Sequence, residues 1–199
     1  MVPSLIPPPH RKSLSAAIAS GATEETKRLI STLDLDVNAF LDDECQRPLL
    51  MEVLCAYSFH PETPRLSLLR WLLEKGADPG IYCNNGYSCL HVAVQQPQLI
   101  KALDVFLDFR PDVNAVDGNG ANIVYWAIQA FPWRTQGKER NDYLKVIEKL
   151  LMLGADLDMA NHHGVTPRKW LDRAPEDVKT LAARCEAMSV QPAAQDHPG

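Results

Sequence analysis

An all-α fold is predicted, a solenoid of about five stacked helix-turn-helix units with a hairpin loop leading into each. Three observations predict it. Gly76-Ala77-Asp78, Arg110-Pro111-Asp112-Val113-Asn114 and Gly154-Ala155-Asp156-Leu157-Asp158 each close an apolar, helix-like segment. A second landmark follows each copy: Asn85-Gly86-Tyr87-Ser88-Cys89-Leu90-His91-Val92-Ala93, Asn119-Gly120-Ala121-Asn122-Ile123-Val124-Tyr125-Trp126-Ala127 and His163-Gly164-Val165-Thr166-Pro167. Asp78 and Asp112 are 34 residues apart, and Asp112 and Asp156 are 44 apart, one further period plus about ten inserted residues. Leu69, Leu72 and Leu73, then Leu144, Ile147, Leu150 and Leu151, recur at three- and four-residue spacing, so each segment is an amphipathic helix with one stripe to bury. A short helix pair cannot bury that stripe alone, and stacking against copies of itself does.

Taken in order, residues 1–12 hold four prolines and are expected to be disordered, and the repeat domain is expected over 13–185. The first unit, 13–40, places Ala16, Ala17 and Ile18 on an inner helix and Leu29, Ile30 and Leu33 on an outer one, with Gly21 in the turn and Asp36-Val37-Asn38 as the closing signature. The second, 41–80, carries Cys45 where a turn glycine is expected and an inserted, twice-proline segment at 58–65. The third spans 81–115. The fourth, 116–159, has a similar insertion at 131–141, and both insertions are expected to be loops on one face. In the fifth, 160–185, Thr166-Pro167 marks a helix start, since threonine caps free N–H groups and proline is tolerated in the first turn. Gly76 and Gly154 stop their helices, where a left-handed residue satisfies terminal carbonyls. The tail, 186–199, has no apolar period and is expected to be disordered.

Those alternating landmarks, at a period near 33, resemble the ankyrin repeat, most specifically over 76–171. In that register Arg47-Pro48-Leu49-Leu50 stands where the family has Thr-Pro-Leu-His, and Arg168 and Lys169 suit a terminal repeat with a wetter outer face. The resemblance implies a protein-binding module that uses hairpin tips and the groove of inner helices. Carried over residue by residue, the implied contact positions are Asp42, Asp43 and Glu44; Tyr82, Asn84, Asn85 and Tyr87; Asn119; and His162 and His163 at the tips, with Gln95, Gln96 and Gln129 facing the groove. Tyr82 and Tyr87 are the first anchors, because tyrosine gives a large amphipathic contact with few rotors to freeze. The alternative for each is packing against a neighbouring unit.

Chemistry points away from catalysis. Gly118-Asn119-Gly120 lacks the third glycine of a phosphate-binding loop, and Gly86-Tyr87-Ser88 lacks the last glycine of a nucleophile elbow. The minor alternative is a metal-binding or catalytic protein using Cys83, Cys89 and His91, whose donor types suit zinc but whose spacing supplies no fourth ligand. No metal and no cofactor are expected. Five cysteines without a Cys-x-x-Cys pair, and no apolar export signal, predict a cytoplasmic protein without disulfides. No stretch reaches the ~18 apolar residues of a membrane span.

The chain carries a net charge of −5. Asp34, Asp36, Asp42, Asp43, Glu44 and Glu52 crowd one window against Arg47 alone, which repels nucleic acid and attracts a basic protein. The expected function is non-enzymatic protein recognition. Its sharpest form resembles the small bacterial ankyrin proteins that neutralise a cognate toxin or effector enzyme, that is, an immunity protein. A scaffold or adaptor in a larger complex is the other reading.

Overall fold

The computed structural model describes residues 4–59, 63–134 and 138–190, and these form an all-helical protein. The helices are α1 (Pro8–Ser20), α2 (Thr23–Thr32), α3 (Leu49–Phe59), α4 (Thr63–Glu74), α5 (Cys89–Val94), α6 (Ile100–Asp108), α7 (Ile123–Arg134), α8 (Lys138–Met152), α9 (Pro167–Leu171) and α10 (Glu176–Val190). Odd-numbered helices pack in sequence, α1 on α3, α3 on α5, α5 on α7 and α7 on α9, and even-numbered ones do the same from α2 to α10. Two rows result, an inner and an outer. One apolar cluster runs between them from Leu14 and Ile18, through Leu54, Leu72, Leu90, Phe106 and Ile128, to Val178 and Ala182.

Local chemistry explains where helices stop and how units join. Gly76 and Gly154 take φ +92° and +88° and return their N–H groups to Leu73 and Leu151. The signature aspartates each accept the N–H two residues on: Asp36 from Asn38, Asp78 from Gly80, Asp112 from Asn114 and Asp156 from Asp158, at 2.7–2.9 Å. Asn38 then reaches into the next unit, donating to the Gly76 carbonyl at 3.1 Å and accepting from the Asp78 amide at 2.8 Å. Asn114 does the same to Gly154 and Asp156, at 2.9 and 2.8 Å. Gly80 stands at the corresponding place and has no side-chain carboxamide with which to bridge to the next unit.

Four expectations are corrected. The proline-rich start is ordered from Ser4 onward: Ile6 donates to Phe40, Phe40 donates to Ser4, Ile6 is buried, and the prolines open α1 where missing N–H groups cost nothing. The rest of that segment, 1–3, lies outside the described residues. Both inserted loops are largely helix. α3 runs to Phe59 and α4 starts at Thr63, while α7 runs to Arg134 and α8 starts at Lys138, so of the two insertions 60–62 and 135–137 fall outside the described residues. α10 continues past Cys185 to Val190, with Val178, Ala182 and Cys185 as its buried stripe, and 191–199 lie outside the described residues. Finally, the left-handed turn residue of the second hairpin is Gln46, φ +47°, not Cys45. Leu41 donates to Arg47 where Cys83 donates to Tyr87, so this turn is two residues longer and Pro48, not Arg47, holds the cap position before its inner helix.

Candidate functional site

The hairpin tips lie side by side and are bonded to one another. The Asn84 amide donates to the Cys45 carbonyl at 3.2 Å, and the Asn84 carboxamide donates to the Glu44 carbonyl. The Tyr82 hydroxyl donates to the Val116 carbonyl at 2.8 Å, and the His162 amide donates to the Asn119 carbonyl at 2.9 Å. Gly120 is required there twice over. Its φ is +76°, and a Cβ would stand 2.6 Å from the His162 ring. Asp42, Asp43, Glu44, Tyr82, Asn84, Asn85, Tyr87, Asn119, His162 and His163 therefore share one edge.

Their environments differ. Asp43, Glu44, Asn84, Asn85, Asn119, His162 and His163 are exposed, whereas Asp42 is half-buried and accepts the Cys45 amide. Asp43 faces Arg11 of α1 at 3.7 Å, and Glu52 binds Arg47 at 2.9 Å and accepts from Ser15. The acidic window is thus less bare than its sequence count, since α1 brings a cation to it. Tyr87 is half-buried, edge-on to His91, and Tyr82 tilts over the same ring. Both tyrosines pack on His91 within their own unit, and Tyr82 also reaches the next unit through its hydroxyl while remaining 39% exposed. Burial pushes the Tyr82 hydroxyl up, and Asp112 and Asp117 add to it.

Gln95 and Gln96 sit just past the C-terminal end of α5 rather than on it, and Gln129 lies within α7. All three are half-buried. Gln96 accepts from Ser58 and from Gln98, both at 3.0 Å, which ties the end of α3 to the end of α5.

The inner helices begin at Leu49, Cys89, Ile123 and Pro167, and their fourth residues, Glu52, Val92, Trp126 and Trp170, are all half-buried. Trp126 donates to Asp117 at 3.0 Å, and Tyr125 stands edge-on to both tryptophans. Sequence reasoning passed over these two tryptophans. Counting four residues from each helix start would have found them.

Among the described residues Cys83, Cys89 and His91 are not grouped to hold a metal, and His91 has a capping role. His91 is fully buried and closes a capping box with Ser88, its Nδ1 2.8 Å from the Ser88 hydroxyl. Burial holds the His91 pKa down, with Asp117 and backbone carbonyls opposing. Burial pushes the Cys83 thiol up to about 11 and the Cys89 thiol well up, which favours the neutral thiol over a nucleophilic thiolate. Among the described residues no three His, Cys, Asp or Glu side chains are grouped to hold a metal, and no helix is long and apolar enough to cross a membrane.

No family model matches the chain. It is similar to three curated proteins over part of its length. The match to palmitoyltransferase AKR1 of Lachancea kluyveri is 28% identical over 106 residues, 52% of this chain. Those to an ankyrin repeat domain-containing protein, OPG023, of cowpox virus and to ankyrin repeat protein 14 of vaccinia virus are each 38% identical over 50 residues, 25% of this chain. The chain spans 13, 8 and 21% of the three relatives' lengths. Sequence similar to ankyrin repeats and an all-helical fold therefore coincide in this chain.

Proposed function

We propose that this chain is an ankyrin-type solenoid of five units, 13–40, 41–80, 81–115, 116–159 and 160–185 by their signatures, that acts without catalysis as a protein-recognition module. The observation that carries the reading is the row of hairpin tips. Exposed polar side chains stand on a backbone whose neighbours are hydrogen-bonded from tip to tip, so the surface is organised before a partner arrives and loses little freedom on binding. The partner-binding set is Asp42, Asp43, Glu44, Tyr82, Asn84, Asn85, Tyr87, Asn119, His162 and His163, with Gln95, Gln96 and Gln129 on the adjoining groove.

The acidic tip favours a basic protein. A cytoplasmic immunity-type role, in which the module neutralises a basic toxin or effector enzyme, is the sharpest version of that reading. A scaffold or adaptor would use the same edge without inhibiting anything.

Affinity capture from native cells, followed by binding kinetics with the recovered protein, tests the proposal. Asp43→Lys with Glu44→Lys should slow association at low salt and lose that effect as salt shortens screening to about 8 Å. Lys101→Glu, at an exposed position of outer-row α6, should change nothing. Capture that ignores the tip variant and responds to the outer-face variant would overturn the reading. Inhibition of the recovered enzyme separates immunity from scaffolding.

A further inference from the structure

We propose that the slot between α1 and α3 seats an apolar side chain of a basic partner segment. This inference rests on the recognition reading above and names where its main contact is made. Glu52, Cys55, Ala56 and Phe59 lie on one stripe of α3, and with Ala19 of α1 and with Arg47 they line a cavity of about 310 Å³. Phe59 is 81% exposed, the most exposed large apolar side chain among the described residues. A ring held open to water beside two alanines is a poor solution for a free surface and a good wall for an inserted Leu, Met or Phe.

Charge selects the segment that carries it. Arg47, which lines the slot, already faces Glu52, and Arg11 of α1 faces Asp43. Asp42 and Glu44 add negative charge at the adjoining tip with no ion-pair partner among the described residues. An apolar anchor flanked by lysine or arginine satisfies slot and tip together. A neutral or acidic segment satisfies the slot alone.

The slot also contains its own reporter. Cys55 is half-buried in the wall, and Cys185 is buried on α10, remote in sequence and on the outer row. The probes are three short synthetic peptides, one amphipathic Leu/Lys, one Leu/Glu and one Ser/Lys, followed by fluorescence anisotropy and by the rate of maleimide labelling at each cysteine. The Leu/Lys peptide should bind at least about tenfold tighter than either control and slow labelling of Cys55 without altering Cys185. Ala56→Trp, which fills the slot, and Phe59→Ser, which removes its wall, should each abolish that preference with the helical spectrum unchanged. Equal binding of the Leu/Lys and Ser/Lys peptides, unchanged binding in both variants, or unprotected Cys55 overturns the proposal. If slot binding holds while tip variants leave capture of the native partner unaltered, the recognition reading fails instead; if tip variants act and slot variants do not, only the slot is wrong.

Discussion

Two acidic hairpin tips, Asp42–Glu44 and Asp117, look alike in the sequence and do opposite things. Asp117 is 4% exposed, and its carboxylate accepts the Asn119 and Ala121 amides at 2.8 and 3.0 Å, the Trp126 indole at 3.0 Å and the Asn119 carboxamide. It is turned inward and fully used. Asn161 occupies the same place in the last tip and accepts the His163 and Val165 amides. Asp43 and Glu44 point outward on a turn two residues longer, where the inward role falls to Asp42 alone. A tip acid with several buried donors builds the turn; one with none is free to meet a partner. Charge counting along a window cannot make that distinction.

The largest expected effect falls on the inward acid. Asp117→Ala strands two amides and an indole N–H beneath the surface, at about 1 to 3 kcal/mol for a buried donor left unpaired. A total loss of about 3 kcal/mol is expected in denaturant unfolding, with a change in Trp126 fluorescence. A loss below about 1 kcal/mol would place the tip's stability elsewhere.

Next come the stitches between units. Asn114→Ala removes one donor and one acceptor that bridge to Gly154 and Asp156, and should cost about 1 to 2 kcal/mol. Gly154→Val, at φ +88°, should cost a similar ~1 to 3 kcal/mol through backbone strain, although nothing lies within 4 Å of a Cβ there. Unchanged denaturation midpoints in both variants would mean that these junctions are held by helix packing alone.

Much of this architecture was legible in the chain. The positive φ of Gly21, Gly76, Gly86, Gly120, Gly154 and Gly164 falls where repeat punctuation put the turns. What misled was local composition read without its neighbours. Prolines at 7–9 suggested disorder, yet they open a helix, and just before it Leu5 bridges to Phe40 of the second hairpin and Ile6 is buried. Prolines near 61 and 132 suggested loops, yet the flanking residues continue their helices. The lengthened second turn hid its own register, because Gln46 carries no glycine signal for a left-handed position. Of the site, the tip residues could be read from spacing, but the Arg11–Asp43 contact joins segments that only folding brings together.

A smaller effect is expected on the outer row. Asp108 accepts from Lys149 at 2.8 Å and Arg70 at 2.9 Å, joining α8 and α4 through α6. Its carboxyl is held below the usual carboxylate range, by the Lys149 hydrogen bond first, with burial opposing and Arg70 assisting. A depressed folded pKa means that this stabilisation is present above the unfolded value of about 3.9 and is lost as pH falls through the folded one. The side chain is 39% exposed, so solvent screening reduces the contribution to roughly 0.5 kcal/mol. Asp108→Asn should therefore be slightly less stable than the parent at pH 7 and indistinguishable at strongly acid pH, and 1 M salt should narrow the gap. A difference that persists in acid would assign the effect to packing.

The smallest effect on stability is expected at the outward acids, and it is the one that the comparison most depends on. Asp43→Lys with Glu44→Lys removes a 3.7 Å contact whose carboxylate is 67% exposed, and exposed pairs at that distance contribute little. Nothing buried loses a partner, because the Asn84 carboxamide bonds to the backbone carbonyl of Glu44 and the Cys45 amide bonds to Asp42, which is left in place. The unfolding midpoint should shift by less than about 0.5 kcal/mol, as for surface changes elsewhere. Placing the double variant beside Asp117→Ala in one denaturation series decides the matter. If the two lose comparable stability, Asp43 and Glu44 are also structural, and the acidic tip has no freedom to serve a partner.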